Sequence, residues 1–351
     1  MSLLSDLSSC RRALIIKPSS LGDIVHTLPS VHLLKRRFPG MAFTWLVNPA
    51  FAPLLEGNPD LDGVPSTILF PRENFRGVSG LLRFRRWLKE LPSLLGPVDA
   101  AFDFQGLLRS GLIARASGAP LRIGFSDSRE GARFFHNTVI PVDPGAHAIE
   151  RSLALPRLLR MDGVDGMDLM DRVEDLDFPL PEGSAPAALP GEMVPPGAVL
   201  LHPFSRGKGK SLTVEQTVRL CRELAPLPVL LVGRAEAALT AALSGLPPNT
   251  LNLLNATTLP ELIWLIRRAR RVISVDSGPM HIAAALTPDV LSLHTWSDPR
   301  KVGPWHPGTT VWKAGRLMES GALDPEICAR NSHFPDTAIP TVAAWAHRLG
   351  D

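Results

Sequence analysis

At 351 residues the chain is long enough for about two domains of roughly 150 residues, each with a core to bury. It is 45% hydrophobic and 20% charged, and no apolar run reaches the ~18 residues that span a bilayer, which excludes an integral membrane protein. Lysine and arginine total 37 against 34 acidic residues, a net charge of +3 that is too small for a global nucleic-acid field, and the absence of tyrosine excludes phenol chemistry.

Met1 to Cys10 alternates leucine with serine and carries Asp6, so it lacks the continuous apolar segment of a secretory signal. The three cysteines, Cys10, Cys221 and Cys328, are far apart without a CxxC pair, which fits reduced thiols in a cytosol and supports neither a disulfide framework nor zinc. Ala13 to Ile16 reads as a buried strand, and Gly22 to Phe38 as an amphipathic helix stopped by Pro39-Gly40. Phe43 to Val47 and Ala100 to Phe104 read as further strands with helical patterns between, as in βαβ units of a parallel sheet. From Asp162 to Glu182 there are eight acidic residues and one basic one, and six of the residues from Pro179 to Gly197 are proline. That density opposes helix and sheet and predicts a linker over 179–197. The α/β pattern then restarts with a strand at Ala198 to His202, a helix at Leu212 to Leu224 and a strand at Pro228 to Val232. Thr258 and Glu261 have capping-box spacing and open a helix to Ala269, ahead of a strand at Arg271 to Val275. Val342, Trp345, Ala346 and Leu349 form one face of a final helix.

Three constellations fall where a strand meets a helix. Lys17 to Pro29 occupies the ligand-facing edge of the first sheet, with Gly22 allowing close approach and Asp23 in the first helical turn. Asp23 either performs chemistry there or complements the helix dipole. His202 to Ser211 combines hydroxyls, lysines and glycines suited to phosphate, but Phe204 stands where a P-loop needs glycine. A looser anion site with Lys210 as the point charge remains, against an exposed basic loop. Ser274 to His281 ends a strand, turns at Asp276-Ser277-Gly278 and starts a helix at Pro279, gathering Ser277, His281 and free amides where a diphosphate would be held.

Between Arg72 and Lys89, six basic residues against Glu73 give a local +5, interleaved by Phe84 and Trp87. Such a stretch suits an anionic amphiphile or membrane surface, with a solvated helix face as the plain alternative and no motif for nucleic acid. Asp60-Leu-Asp62 and Asp175-Leu-Asp177 lie in loop and linker sequence and read as solvated, so no metal is expected.

Taken together, Ser19 to Pro29, Asp103-Phe-Gln-Gly106 with Leu107 to Ser110, Val275 to His281 followed by Ala283 to Leu286, and Ser297-Asp-Pro299 resemble glycosyltransferase family 9 over nearly the whole chain. Within the family the chain is most similar to the transferases that add heptose to the Kdo residues of lipid A. The resemblance implies an α/β GT-B fold, two Rossmann-like domains facing a central cleft. The acceptor domain would span 1–178 and the nucleotide-sugar domain 198–335, with residues 336–351 a helix packing back on the first domain. It also implies inverting, metal-independent transfer of heptose from ADP-L-glycero-D-manno-heptose to Kdo-lipid A in lipopolysaccharide inner-core synthesis, by a cytoplasmic monomer in peripheral contact with the inner membrane and with no cofactor.

By position, Asp23 carries over as general base, and Ser205, Lys210, Glu236, Asp276, Ser277, Gly278 and His281 as donor-binding residues. Ser20, Gly22, Arg72, Arg83, Arg85, Arg86, Lys89 and Gln105 carry over to the acceptor side. Ser277 replaces the family's frequent threonine and keeps its hydroxyl, whereas His294-Thr295 stands where glycine is common. Either Lys208 or Lys210 neutralises the phosphate, and Lys210, which stands just before the helix, is the better placed. The alternatives are another family 9 transferase, such as a heptosyltransferase II or one with a different donor, and a non-catalytic nucleotide-binding GT-B protein.

Overall fold

A computed structural model describes residues 3–159, 176–189, 191, 193–207, 209–243 and 245–348. The chain divides into two compact units, Met1–Pro181 and Glu182–Asp351. The division falls inside the proline-rich stretch, most of which joins the second unit. Gly183, at φ +77°, lies so close to Pro260 and Trp264 that no side chain would fit, and Leu189 is buried. Asp175, Lys208, Leu349 and most of the acidic run from Asp162 lie outside the described residues.

In the first unit a short helix, α1 (Leu3–Ser9), precedes β1 (Arg12–Ile16), α2 (Leu21–Arg37), β2 (Ala42–Val47), β3 (Thr67–Leu69) and α3 (Gly77–Leu95). β4 (Ala100–Asp103), α4 (Leu108–Ala116), β5 (Leu121–Phe125), β6 (Thr138–Ile140) and α5 (Ala148–Leu158) complete it. The six strands are parallel in the order β3-β2-β1-β4-β5-β6, with Ile16 opposite Asp103 in register. Leu14, Ile15 and Ile16 are fully buried, as a central parallel strand covered on both faces requires.

The second unit repeats the plan with β7 (Val199–His202), α6 (Val214–Glu223), β8 (Val229–Leu231), α7 (Ala237–Ala242), β9 (Thr250–Asn252) and α8 (Leu259–Arg268). It continues through β10 (Arg271–Val275), α9 (Gly278–Leu286), β11 (Val290–His294), α10 (Pro299–Val302), β12 (Thr310–Lys313), β13 (Arg316–Glu319), α11 (Pro325–Cys328) and α12 (Ile339–His347). The order is β13-β12-β11-β10-β7-β8-β9, parallel except for β13 on the edge. Thr213 and Gln216 form the capping box of α6, and Thr258 and Glu261 that of α8.

The apolar face of the final helix is built into the second unit's core, where Ile339, Val342, Ala343, Trp345 and Ala346 cluster with Leu220, Cys221 and Leu224. Polar contacts fix it there: the Trp345 indole N–H donates to Thr310 Oγ1 at 3.0 Å, and Arg271 lies 4.7 Å from the ring and donates to the Trp345 carbonyl. An apolar face finds its partner by shape as well as by pattern, and α6 offers a matching one. Trp345→Ala should therefore cost about 3–5 kcal/mol in denaturant unfolding of the full chain, whereas a loss below about 1 kcal/mol would show that α12 is no part of this core.

Candidate functional site

Both sheets reverse their strand order once, between β1 and β4 in the first unit and between β7 and β10 in the second. There the connections leave in opposite directions and open a crevice at the carboxyl ends of the strands, the usual ligand position in such folds. Asp23 and Gln105 follow β1 and β4. Lys210 and the Asp276-Ser277-Gly278 turn follow β7 and β10.

In the first unit Asp23 Oδ2 accepts from the Ser20 amide at 2.9 Å and the Ser20 hydroxyl at 2.5 Å, which fixes the carboxylate at the start of α2. Asp23 remains partly exposed, while Gly22 beside it is buried. The loop before the helix is tied to the loop after β4, since Lys17 Nζ donates to the Phe104 carbonyl at 2.8 Å and the Ser19 amide to Gln105 Oε1 at 3.3 Å. Gln105 is itself held by Asp103, a fully buried carboxylate. One oxygen of Asp103 accepts from the Gln105 and Gly106 amides at 3.0 and 2.9 Å, and the other from Ser110 Oγ at 2.8 Å and His136 Nε2 at 2.9 Å. Gly124 makes room for His136: a side chain there would overlap the imidazole. His136 is distant in sequence from every motif, and only its buried pairing with Asp103 reveals its part.

The basic segment is a 3-10 turn from Arg72 to Phe75 followed by α3. Arg72, Arg83, Arg85, Arg86 and Lys89 are all exposed. Arg83 Nε donates to the Asn74 carbonyl at 2.8 Å, and Arg86 pairs with Glu90 at 2.9 Å. Phe84 and Trp87 do not interleave these cations at the surface. They pack with Phe70 and Phe75, Phe84 buried and Trp87 half-buried, because they fall on the inner stripe of the helix. The reading of Asp60 as solvated is likewise corrected. Asp60 is buried against His32 Nδ1 at 3.1 Å, raising the pKa of that histidine, whereas Asp62 is exposed as expected and takes a hydrogen bond from Lys35 at 2.6 Å.

In the second unit Ser205 organises the loop after β7, its amide donating to Ser211 Oγ at 2.9 Å and its carbonyl accepting from the same hydroxyl at 3.1 Å. Lys210, just beyond, sends Nζ to Asp276 Oδ2 at 2.5 Å. The ammonium also lies 4.6 Å from the ring of Trp296, a half-exposed indole. Asp276 is buried, which opposes its charge, yet its pKa is held below the ordinary carboxylate value by His294, the Lys210 ammonium and the Ser297 hydroxyl.

Ser277 is the N-cap of α9, but its hydroxyl is turned toward His202 Nδ1 at 3.2 Å and donates to the Val275 carbonyl at 3.1 Å. The start of α9 is thus left without a side-chain cap, an anion-binding arrangement in which Gly278 supplies an amide, Pro279 none, and Met280 one that already donates to the Ser277 carbonyl at 3.1 Å. His281 lies on the first turn of the same helix, partly buried. Glu236 stands apart: it is the exposed N-cap of α7, and its carboxylate makes no hydrogen bond or ion pair among the described residues.

Three further groups hold this site from beneath. His202 and His294 are buried, and desolvation pushes each imidazole down to about 4, so both are neutral at pH 7. Lys313, fully buried at the end of β12, donates to the Thr295 carbonyl and, at 2.9 Å, to that of Ser297, clamping the loop that carries Trp296. Sequence spacing gives no sign of Lys313, whose role arises from strand neighbours 16 and 18 residues apart. Among the described residues no group of three histidine, cysteine, aspartate or glutamate side chains is arranged to hold a metal.

The model of glycosyltransferase family 9 (heptosyltransferase) matches residues 92–321. The chain is 30% identical over 319 residues to lipopolysaccharide heptosyltransferase 1 of Pseudomonas aeruginosa, covering 85% of this chain and 80% of that one. It is 25% identical over 304 residues to the Salmonella typhimurium protein of the same name, covering 83% and 90%. Among solved structures, Escherichia coli heptosyltransferase WaaC with ADP matches with a TM-score of 0.66 at 21% identity, over 95% of this chain and 99% of that one. A family 9 glycosyl transferase from Veillonella parvula matches with a TM-score of 0.70 at 16% identity, over 96% and 97%. At these identities the likeness establishes the fold, two Rossmann-like units of the GT-B type.

The two buried histidines predict how the second unit responds to acid. Their folded values lie below the unfolded 6.5, so the unfolded chain binds more protons between 6.5 and about 4 and stability falls as pH drops through that window. The loss should reach about 3 kcal/mol per histidine below pH 4. Denaturation midpoints from about pH 7.5 to 4.5 check this, with His294→Gln or His202→Gln flattening the slope; a wild-type profile without slope refutes it.

Proposed function

Because the chain belongs to glycosyltransferase family 9, we propose that it transfers heptose from ADP-heptose to a Kdo residue of lipid A, with inversion and without a metal ion. The glycosyltransferase class and the place in lipopolysaccharide synthesis follow from the family and its heptosyltransferase relatives. The finer reading is carried by one observation, the Lys210 ammonium standing with Asp276 beside the side-chain-free start of α9 at the second strand-order reversal. A cation, a helix N-terminus and a hydroxyl at one point suit a diphosphate leaving group. Solved E. coli WaaC structures carry ADP and ADP-2-deoxy-2-fluoro heptose, which supports an ADP-sugar donor here.

In the proposed reaction Asp23 accepts the proton of the acceptor hydroxyl as its oxygen forms a bond to the anomeric carbon. The bond from that carbon to the diphosphate breaks on the opposite face, and ADP departs. A single displacement inverts the centre. Positioned proton transfer is worth on the order of 10² to 10⁴ in rate. Lys210 and the α9 amides stabilise the negative charge that grows on the leaving oxygen. Ser205, Asp276, Ser277, Gly278 and His281 complete the donor side, with Glu236 reaching the nucleotide from α7. Ser20, Gly22 and Gln105 shape the acceptor side around Asp23, and Arg72, Arg83, Arg85, Arg86 and Lys89 meet the acidic groups of the acceptor. The enzyme acts as a monomer at the cytoplasmic face of the inner membrane.

Asp23→Asn separates catalysis from helix capping, because an amide oxygen still accepts from Ser20 but is not a base. With ADP-heptose and Kdo-lipid A, turnover followed by mass should fall about 10² to 10⁴-fold while the Kd for ADP stays unchanged. Near-normal transfer by Asp23→Asn overturns the assignment, and a panel of other sugar nucleotides and core acceptors tests the substrates. Lys210→Met should weaken ADP binding about 10- to 100-fold by calorimetry, the size of one lost charge-assisted hydrogen bond, and unchanged affinity would remove Lys210 from the donor site.

A further inference from the structure

α3 carries two apolar stripes, and only one is accounted for by the core. Gly80, Phe84, Leu91 and Leu95 face inward and are buried. On the solvent side of its first two turns, Val78, Leu81 and Leu82 are 86%, 56% and 65% exposed. At spacings i, i+3 and i+4 they form one surface, which Arg85 and Lys89 continue at i+7 and i+11. Arg83 and Arg86 flank this line. A surface helix in water ordinarily shows polar residues on its outer face; here that face is aliphatic at one end and cationic at the other. The feature extends to the neighbouring elements: α4 packs on α3, and the 3-10 turn Ala132–Phe135 packs on α4, presenting Phe134 at 91% exposure next to the exposed Arg133.

We propose that the outer face of α3 docks on an anionic bilayer, with Val78, Leu81 and Leu82 entering the acyl boundary and Arg85 and Lys89 resting on the headgroups. Aliphatic side chains beside arginine and lysine are the composition that binds such an interface, where burial of apolar surface adds to attraction by anionic lipids. A second copy fits poorly. A self-complementary contact would set this patch against itself, bringing the cations of one α3 close to those of the other. No helix among the described residues is long and apolar enough to cross a membrane, so the contact described is one of lying on the surface. This rests on the membrane contact proposed above and reassigns Arg85 and Lys89 from the acceptor's acidic groups to the bilayer headgroups, leaving Arg72, Arg83 and Arg86 to the acceptor; it needs nothing of the transfer chemistry.

The test is co-sedimentation of the full-length protein with phosphatidylethanolamine/phosphatidylglycerol vesicles and with phosphatidylcholine vesicles. Wild type should partition to the anionic vesicles, and V78S/L81S/L82S should lose about tenfold or more of that partitioning. Because these side chains are exposed, the variant should keep its unfolding midpoint and its turnover on a deacylated, water-soluble acceptor. Lys210→Met should partition as wild type does, so failure of the donor reading leaves this result standing. The proposal is overturned if wild type does not partition, or if the triple variant partitions as wild type does. It is also overturned if the three substitutions abolish self-association in sedimentation while vesicle binding is unchanged, which would assign the face to a second copy.

Discussion

Both candidate sites depend on where each sheet reverses its strand order. Along most of a parallel sheet the connections cover the strand ends, and backbone amides are spent on neighbouring loops. Between β1 and β4, and between β7 and β10, adjacent connections leave to opposite faces, so polar side chains and helix starts converge there without displacing the apolar core. The same order occurs twice in the chain, and each instance gathers one set of groups: Asp23 and Gln105 in one, Lys210, Asp276 and Ser277 in the other. The proposed base and the proposed leaving-group site are thus products of a single topological rule applied twice.

Polar groups beneath those loops carry the cost of shaping them. Asp103 is a buried carboxylate made tolerable by four donors, and in satisfying itself it sets the loop that presents Gln105. Lys313 is a buried ammonium whose penalty is offset by carbonyls of the Trp296 loop. Burial pulls its pKa below the lysine norm, and the Thr295 carbonyl it serves accepts from Ser332 as well. His202 and His294 are kept neutral, His202 turning the Ser277 hydroxyl away from the helix it precedes. In each case a buried polar residue is spent on positioning a loop.

The sequence was most legible where one periodicity or one motif settles the matter. Apolar runs such as Ala13 to Ile16 and Arg271 to Val275 became central strands, and the Thr258 helix start appeared with its capping box. Legibility ended where the outcome depends on a partner remote in sequence. Val342, Trp345 and Ala346 announce an apolar face, but only the surface of α6 and the hydroxyl of Thr310 decide where it docks. Phe84 and Trp87 stand among arginines in the chain and yet belong to an inner stripe, since sequence adjacency on a helix separates residues by about 100°. Asp60 looks solvated until His32, 28 residues earlier, closes over it. His136 and Lys313 had no local signal at all.

The proposed donor site shows why a cation and a helix start are needed together. Lys210 is neutralised by Asp276 and covered by the face of Trp296. In the proposed reaction a diphosphate brings further negative charge to the same point, and the ammonium is then divided between carboxylate and phosphate. Lys210 alone would gain little by exchanging one anion for another, and Asp276 would repel the newcomer. The start of α9 supplies the missing part, with roughly half a positive charge and amides that Ser277 does not cap. The phosphate can therefore be held mainly by the helix while the lysine bridges it to Asp276. His202 and the Val275 carbonyl together keep the Ser277 hydroxyl turned away from those amides, so the histidine that opens the phosphate-suited loop after β7 also shapes the start of α9.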